Sequence, residues 1–448
     1  MVTDSNKPKL RRLLTLMDAT LLNAGGIIGS GIFLVPATVA LLTGSLSLML
    51  GVWIFGGIIS LFGALSIAEL GASMPRAGGQ YVYLKEAYGP VWGYLYGWSA
   101  VAVINTASIA AVAVAISEYL GFFIDFSPVT GKIAAIIFIL VLSGLNIISV
   151  KSGIWVQNVI TFLKIGTILG IIILGISMDG GQINNFLPLL TDRPIAGLVG
   201  PLGLAMIAVL WTYDGWIFVT YIAGEVKNPS RNIPLSLIFC MLLVIVIYLL
   251  INMVFTYTLG FEAMSNSVLV AADSAAVFLG QRGAAVATII ILVSLLGANN
   301  CFILTSARIN YAMARDGLFF KMAGKVSKKF GSPANALVLQ AIWSCLLTLT
   351  GTFNQLITYV IFASWIFYGM SAGAVIILRK KQPDLDRPYL TPGYPWVPLA
   401  FILFAVLLTA NTILAAPREA AIGLAIIIGG LPFYYIRKRA SGKVSLNE

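Results

Sequence analysis

Histidine does not occur in this chain of 448 residues, and charged residues make up only 10% of it. Without histidine the sequence lacks the most common metal ligand and the side chain that normally titrates near neutral pH. A soluble domain carries about 25% charged residues, and no polar stretch here is long enough to fold alone. The three cysteines, Cys240, Cys301 and Cys345, lie in apolar segments at no metal-ligand spacing and read as small packing residues. With no histidine, no paired acids and no metal cluster, there is no catalytic constellation. No catalytic residue, metal or cofactor is expected, and neither a cleavable secretory signal nor a low-complexity tract is evident. What is present is hydrophobic: 59% of the residues, in runs long enough for an all-α membrane protein whose partner is the lipid bilayer.

Twelve apolar segments are expected, at 15–42, 46–73, 90–120, 132–149, 154–177, 199–223, 234–259, 283–312, 334–351, 355–378, 395–415 and 419–436. An even number puts both termini on one side. The lysines and arginines say which side. Lys132, Arg193, Arg282 and Arg418 fall on the far side and Lys164 falls inside the fifth segment; the rest, from Lys7 and Lys9 onward, fall on the side of the termini. The termini are therefore expected to be cytoplasmic. The net charge of +11 is an orientation signal with anionic-lipid contacts, and no nucleic-acid partner is expected.

Two segments look broken. In "NAGGIIGSGIF" (23–33), Gly25, Gly26, Gly29 and Gly31 interrupt the first. In "VLWTYDGWIF" (209–218), the turn pair Asp214-Gly215 sits mid-segment in the sixth, where a charge costs ~3 kcal/mol or more. Broken backbone at membrane depth is tolerated where it is buried or lines a cavity. Breaks five segments apart are the pattern of two inverted five-helix repeats that share a midplane site. Unwinding frees backbone N–H and C=O groups. A half-helix starting near Ile32 would aim its N-terminus at a carboxylate beside Gly29, Ser30 and Gly31, and freed carbonyls would accept from an ammonium. A zwitterionic α-amino acid meets both needs. The competing reading of the glycines is close helix packing. Asp214 is open between capping a half-helix and contacting substrate or a cation.

"GGIIGSGIF" (25–33), "PRAGGQYVYLKEAYGPVWGYLYGW" (75–98), "WTYDGW" (211–216) and "EVKNPSRNIP" (225–234) resemble the amino acid–polyamine–organocation (APC) superfamily. Within it they are similar to the L-type amino acid transporter branch and its bacterial amino acid exchangers. The resemblance spans essentially the whole chain. It implies a single polytopic transporter domain over 1–448 with a LeuT-type 5+5 inverted repeat and discontinuous helices 1 and 6. The first repeat would be 15–177, the second 199–378, and two additional helices 395–436. By motif position Ile27, Ser30 and Gly31 would contact the substrate carboxylate. Trp211, Thr212 and Asp214 would supply carbonyls for the amine and an aromatic lid, and Ser364 and Trp365 would line the distal pocket. Many animal members have glycine where this chain has Asp214, so their specificity does not transfer.

Lys164 could be an interfacial lysine that snorkels, but its place mid-segment argues against that. In the resembling family a lysine here stands where sodium-coupled relatives hold Na⁺, which implies transport independent of sodium. Glu69 and Glu118 read as interfacial. Asp18 suits a helix N-terminus. Tyr81, Tyr83, Tyr88, Trp92, Tyr94, Tyr96 and Trp98 read as an interfacial belt with packing. Animal members pair with a glycoprotein through a cysteine between segments 3 and 4. The loop 121–131 has none, so no disulfide-linked heavy subunit is expected. A channel would want a continuous polar pore and a receptor a soluble signalling part; neither is evident. The expectation is a multi-pass cell-membrane antiporter of small or medium neutral L-amino acids. Proton-coupled or exchange transport of a cationic amino acid or polyamine, with Asp214 as counter-charge, is the alternative.

Overall fold

Inside a bilayer a backbone N–H or C=O finds no water and must pair within the protein, most simply within its own helix. The computed structural model describes residues 10–178, 181–190, 195–267, 269–350, 353–415 and 417–444; of the charges counted above, Lys7, Lys9 and Arg193 lie outside them. The described residues are helical almost throughout, with no strand among them; Leu14 and Val226 form an isolated parallel bridge. The helices are α1 (Leu16–Ile27), α2 (Gly31–Thr43), α3 (Leu46–Ser73), α4 (Gln80–Tyr88), α5 (Pro90–Ser99), α6 (Asn105–Leu120), α7 (Pro128–Ile148), α8 (Val150–Ser177) and α9 (Ile195–Thr212). They continue as α10 (Phe218–Tyr221), α11 (Pro229–Leu259), α12 (Phe261–Ser265), α13 (Val270–Leu279), α14 (Gly283–Arg315), α15 (Ala334–Thr350), α16 (Phe353–Lys381), α17 (Trp396–Ala415) and α18 (Pro417–Val444).

Among the described residues nine helices are long and apolar enough to cross a membrane, ten if the bent pair α1–α2 counts as one span. Two expected segments are shorter: the sixth, whose apolar helix ends at Thr212, and the ninth, at Ala334–Leu349. Polar residues mark the helix ends. Thr15 and Asp18 form a reciprocal capping box at the start of α1, which is where the acid was expected. Ser149 both ends α7 and caps α8, accepting from the Ser152 N–H. α5 and α6 join through a π-helical turn at Ala100–Ile104, where the Thr106 hydroxyl donates back to the Val101 carbonyl at 2.8 Å. Such a turn widens the helix locally.

α3 packs along α11, α1 along α11 and α8, α6 along α14, and α2 along α9. α1 thus lies against two long continuous spans, and α2 against the other broken segment. Of the aromatics between 81 and 98, Tyr81, Tyr83, Tyr94 and Tyr96 are buried in the core and Trp92 is exposed, so packing outweighs the belt.

Glu69 is not the bland interfacial acid expected. It is buried and accepts two parallel bonds from the Arg379 guanidinium at 2.8 and 2.7 Å, and one from the Thr391 N–H at 2.8 Å. This ties the end of α3 to the end of α16. A second pair, buried on both sides, joins Glu225, after α10, to Arg308 of α14 at 2.8 and 3.2 Å. Neither partner is exposed. Removing one member of a buried pair strands the other charge, at a cost of about 3–5 kcal/mol, whereas replacing both by apolar groups is far cheaper. Arg308→Met should therefore lower the thermal-shift midpoint of the purified protein sharply, and the double variant Arg308→Met/Glu225→Leu should recover most of it. Equal midpoints for the single and double variants would refute this account.

Candidate functional site

The chain leaves α1 at Ile27 and resumes at Gly31, bent by 47°. The second break lies between Thr212 and Phe218. The two gaps face each other and line one cavity with Ile27, Gly29, Ser30, Gly31, Trp211, Thr212 and Asp214, closed by Ser108 of α6, Phe302 of α14 and Val360 of α16. A shared site is what the five-segment spacing of the two breaks predicts. Gly215 makes the second break possible. Its φ is +112°, and a Cβ there would lie 3.0 Å from the carbonyl carbon of Gly26.

A helix that stops mid-membrane leaves its last carbonyls without partners. Here side chains satisfy them. The Lys164 ammonium, buried on α8, donates to the Gly25 carbonyl at 2.8 Å and the Ile28 carbonyl at 2.7 Å. Charge-assisted bonds of this length contribute about 1.5–3 kcal/mol each. Ser294 of α14 donates to the carbonyls of Ile28 and Gly29 at 3.0 and 3.2 Å. The Tyr248 hydroxyl of α11 reaches the carbonyls of Ile27 and Thr212, one in each break, at 3.1 and 3.2 Å. The N–H of Val219, in α10, donates to the Asn23 side chain at 2.9 Å, a further strap between the two broken segments.

The opposite pole is the N-terminus of α2, where the first N–H groups have no partner inside the helix. Ser30 precedes it with no side-chain capping bond. A Cβ on Gly31 would stand 3.0 Å from the Thr212 hydroxyl and 3.2 Å from the Trp211 ring, whereas one on Gly29 would meet almost nothing. The cavity thus has the N-terminus of α2 at one side and, at the other, carbonyl oxygens that each already accept a bond within the protein and keep a second lone pair. It can hold an anionic and a cationic group a short distance apart, as in a zwitterion.

The other residues singled out in the sequence fall in different places. Asp214 lines the cavity, but one carboxylate oxygen accepts from the Tyr368 hydroxyl at 2.7 Å and from the N–H of Gly215 at 2.9 Å. It ties the second break to α16. The Trp211 carbonyl accepts from the Asp214 N–H at 3.2 Å and the Thr212 carbonyl from Tyr248, so these oxygens are less free than expected. Ser364 and Trp365 do not line the cavity. Trp365 turns away to stack on Phe401 of α17, ring centroids 5.7 Å apart. Ser364 is buried, its hydroxyl without a hydrogen-bond partner among the described residues. α16 reaches the cavity one turn earlier, at Val360. Tyr248, Ser294, Ser108 and Tyr368 were missed; their only signal was a lone polar group in an apolar run.

The chain matches the amino acid permease family over residues 14–431. The chain belongs to that family. It is 33% identical to the mouse (Mus musculus) b(0,+)-type amino acid transporter 1 over 444 residues, 97% of this chain and 89% of the relative. It is 32% identical to the serine/threonine exchanger SteT of Bacillus subtilis (strain 168) over 433 residues, 96% of this chain and 98% of the relative. It is also 30% identical to the human (Homo sapiens) cystine/glutamate transporter over 435 residues, 96% and 86% of the two chains. This permease is an amino acid transporter of the APC superfamily rather than an enzyme, similar to L-type and bacterial exchangers.

Gly31→Val should abolish amino acid binding, because its methyl groups would fill the space between Thr212 and Trp211. Ser30→Ala should weaken binding tenfold at most, the value of a single hydroxyl contact of about 0.5–1.5 kcal/mol. Scintillation proximity on the purified permease checks both. Normal binding by Gly31→Val would return the glycines to a packing role.

Proposed function

We propose that this permease is a sodium-independent exchanger of small or medium neutral L-amino acids that works by alternating access. The observation that carries the reading is Lys164, whose ammonium sits on the Gly25 and Ile28 carbonyls where a bound cation would otherwise be needed to satisfy them. A fixed ammonium does what Na⁺ would do at freed carbonyls, without a concentration requirement. The substrate carboxylate lies at the N–H groups beginning α2, next to Ile27, Gly29, Ser30 and Gly31, with Trp211 and Thr212 over it. The substrate amine lies toward the carbonyl end.

The architecture in this reading is twelve transmembrane helices in a LeuT-type 5+5 inverted repeat, 15–177 and 199–378, with 395–436 added. Exchange of each helix with the one five places on should preserve the packing, and several pairs support it. Segments 2 and 7 pack together, as do 3 and 8, and 4 and 9; the pairing of segment 1 with 7 is matched by that of 6 with 2. Both termini are cytoplasmic in this reading, from the asymmetry of lysine and arginine. The membrane is the cell membrane. With no cysteine in 121–131, no disulfide-linked heavy subunit is assigned.

Two observations favour neutral over cationic substrates. Asp214 already accepts two bonds from within the protein, which suits a brace better than a counter-charge. The bacterial relative that the chain matches over 98% of its length is named a serine/threonine exchanger. Replacement of external Na⁺ by choline should leave uptake into proteoliposomes unchanged, and Lys164→Ala should lose most of it. Strict dependence on Na⁺, or near-normal uptake by the variant, would overturn the assignment. Lysine or arginine outcompeting serine would favour the cationic alternative.

A further inference from the structure

Away from the central cavity, four cations line a single cleft: Arg11 before α1, Lys151 in the first turn of α8, and Lys328 and Lys329 ahead of α15. They come from three distant stretches of the chain, and each stretch is anchored. Leu13 and Leu14 donate their N–H groups to the Glu225 carbonyl at 2.8 and 3.0 Å, and the Lys227 N–H returns a bond to Leu14 at 2.8 Å. The turn that carries the two lysines is closed by Ser327 N–H to Ser332 at 2.9 Å and Gly331 N–H to Ser327 at 2.8 Å. The Ser332 hydroxyl then fastens that turn to the Ile147 carbonyl at the end of α7, at 2.7 Å.

The one carboxylate that lines the cleft, Glu225, offers little counter-charge, since both its oxygens are taken by Arg308. Among the described residues none of the four cations is in an ion pair; Lys329 lies 5.1 Å from the Phe330 ring centroid. Like charges gathered by anchored backbone repel one another unless an anion joins them. Lysine ammonium groups bind phosphate as point charges, and arginine adds a planar fork.

We propose that this cleft binds a phosphate-bearing anion, either the headgroup of an anionic phospholipid or a free phosphate. The proposal rests on the orientation given under Proposed function, which puts the cleft on the cytoplasmic side, where anionic lipids attract basic groups. One wall is the N-terminal segment bonded to the end of the second broken span. The other is the corner of α7 and α8. An anion between them holds two parts of the transporter together and slows their separation.

The probe is phosphatidylglycerol, titrated into phosphatidylcholine nanodiscs holding the full-length permease, with retained lipid counted by native mass spectrometry. A second arm titrates inorganic phosphate into pure phosphatidylcholine nanodiscs and follows the thermal midpoint. The triple variant Lys151→Gln/Lys328→Gln/Lys329→Gln alters exposed side chains only. It should bind the preferred anion ~100-fold more weakly, about fivefold per lysine. A control with equal charge loss elsewhere, Lys321→Gln/Lys325→Gln/Lys380→Gln, should bind as the parent does. Retention of phosphatidylglycerol alone assigns the lipid; a midpoint shift with phosphate alone assigns the free anion. Equal weakening in both triple variants, or parental binding by the first, overturns the site. Amino acid exchange in pure phosphatidylcholine liposomes is read separately: its loss in the parent would count against the transport reading and leave the anion result standing.

Discussion

A helix that stops inside a bilayer must find partners for the groups it leaves open, and the rest of this structure is arranged around that need. The carbonyls released between Ile27 and Gly31 are met by an ammonium from α8, a hydroxyl from α14 and a hydroxyl from α11. Three long helices are thus bound to one short gap. Each supplies its group from a rigid span, so the gap is held open at fixed geometry rather than collapsing into continuous helix. At the start of α2, Gly31 lines the cavity, while the Phe33 N–H donates to the Ser30 carbonyl at 3.0 Å.

The same logic places the charges. A charge in an apolar interior persists only where it is paired or bonded. Lys164 rests on carbonyls, Arg308 and Glu225 on each other, Glu69 on Arg379 and Thr391, and Asp214 on Tyr368 and a backbone N–H. All but the Asp214 bond to the neighbouring Gly215 N–H join elements far apart in the chain.

Much of this was legible in the sequence because it is local. Apolar run lengths located nine spans among the described residues, ten with the bent pair, the glycines of 25–31 and the Asp214-Gly215 pair located both breaks, and Asp18 marks the start of α1 through a bond only three residues long. Lys164 stood out because its place mid-segment argues against snorkelling, and its place at the first break was what the family resemblance implied. What could not be read depends on rotation about a helix axis and on partners hundreds of residues away. Glu69 looked interfacial because Arg379 lies 310 positions distant. Trp365 and Val360 share one helix, yet five residues set them about 140° apart around its axis, which sends the tryptophan to α17 and leaves the valine at the cavity. A lone tyrosine or serine in an apolar run, as at Tyr248 and Ser294, gave no sign of which carbonyl it would reach.

The Tyr248 hydroxyl lies within bonding distance of one carbonyl in each broken span, 3.1 Å from Ile27 and 3.2 Å from Thr212. A phenol has a single proton to donate. The two spans therefore time-share it, and at any instant one of the two oxygens holds a vacant lone pair that this donor is not using. A small rotation of the O–H bond, with no movement of any heavy atom, transfers the vacancy from one broken helix to the other. An arriving donor finds an acceptor at whichever helix the phenol is not serving.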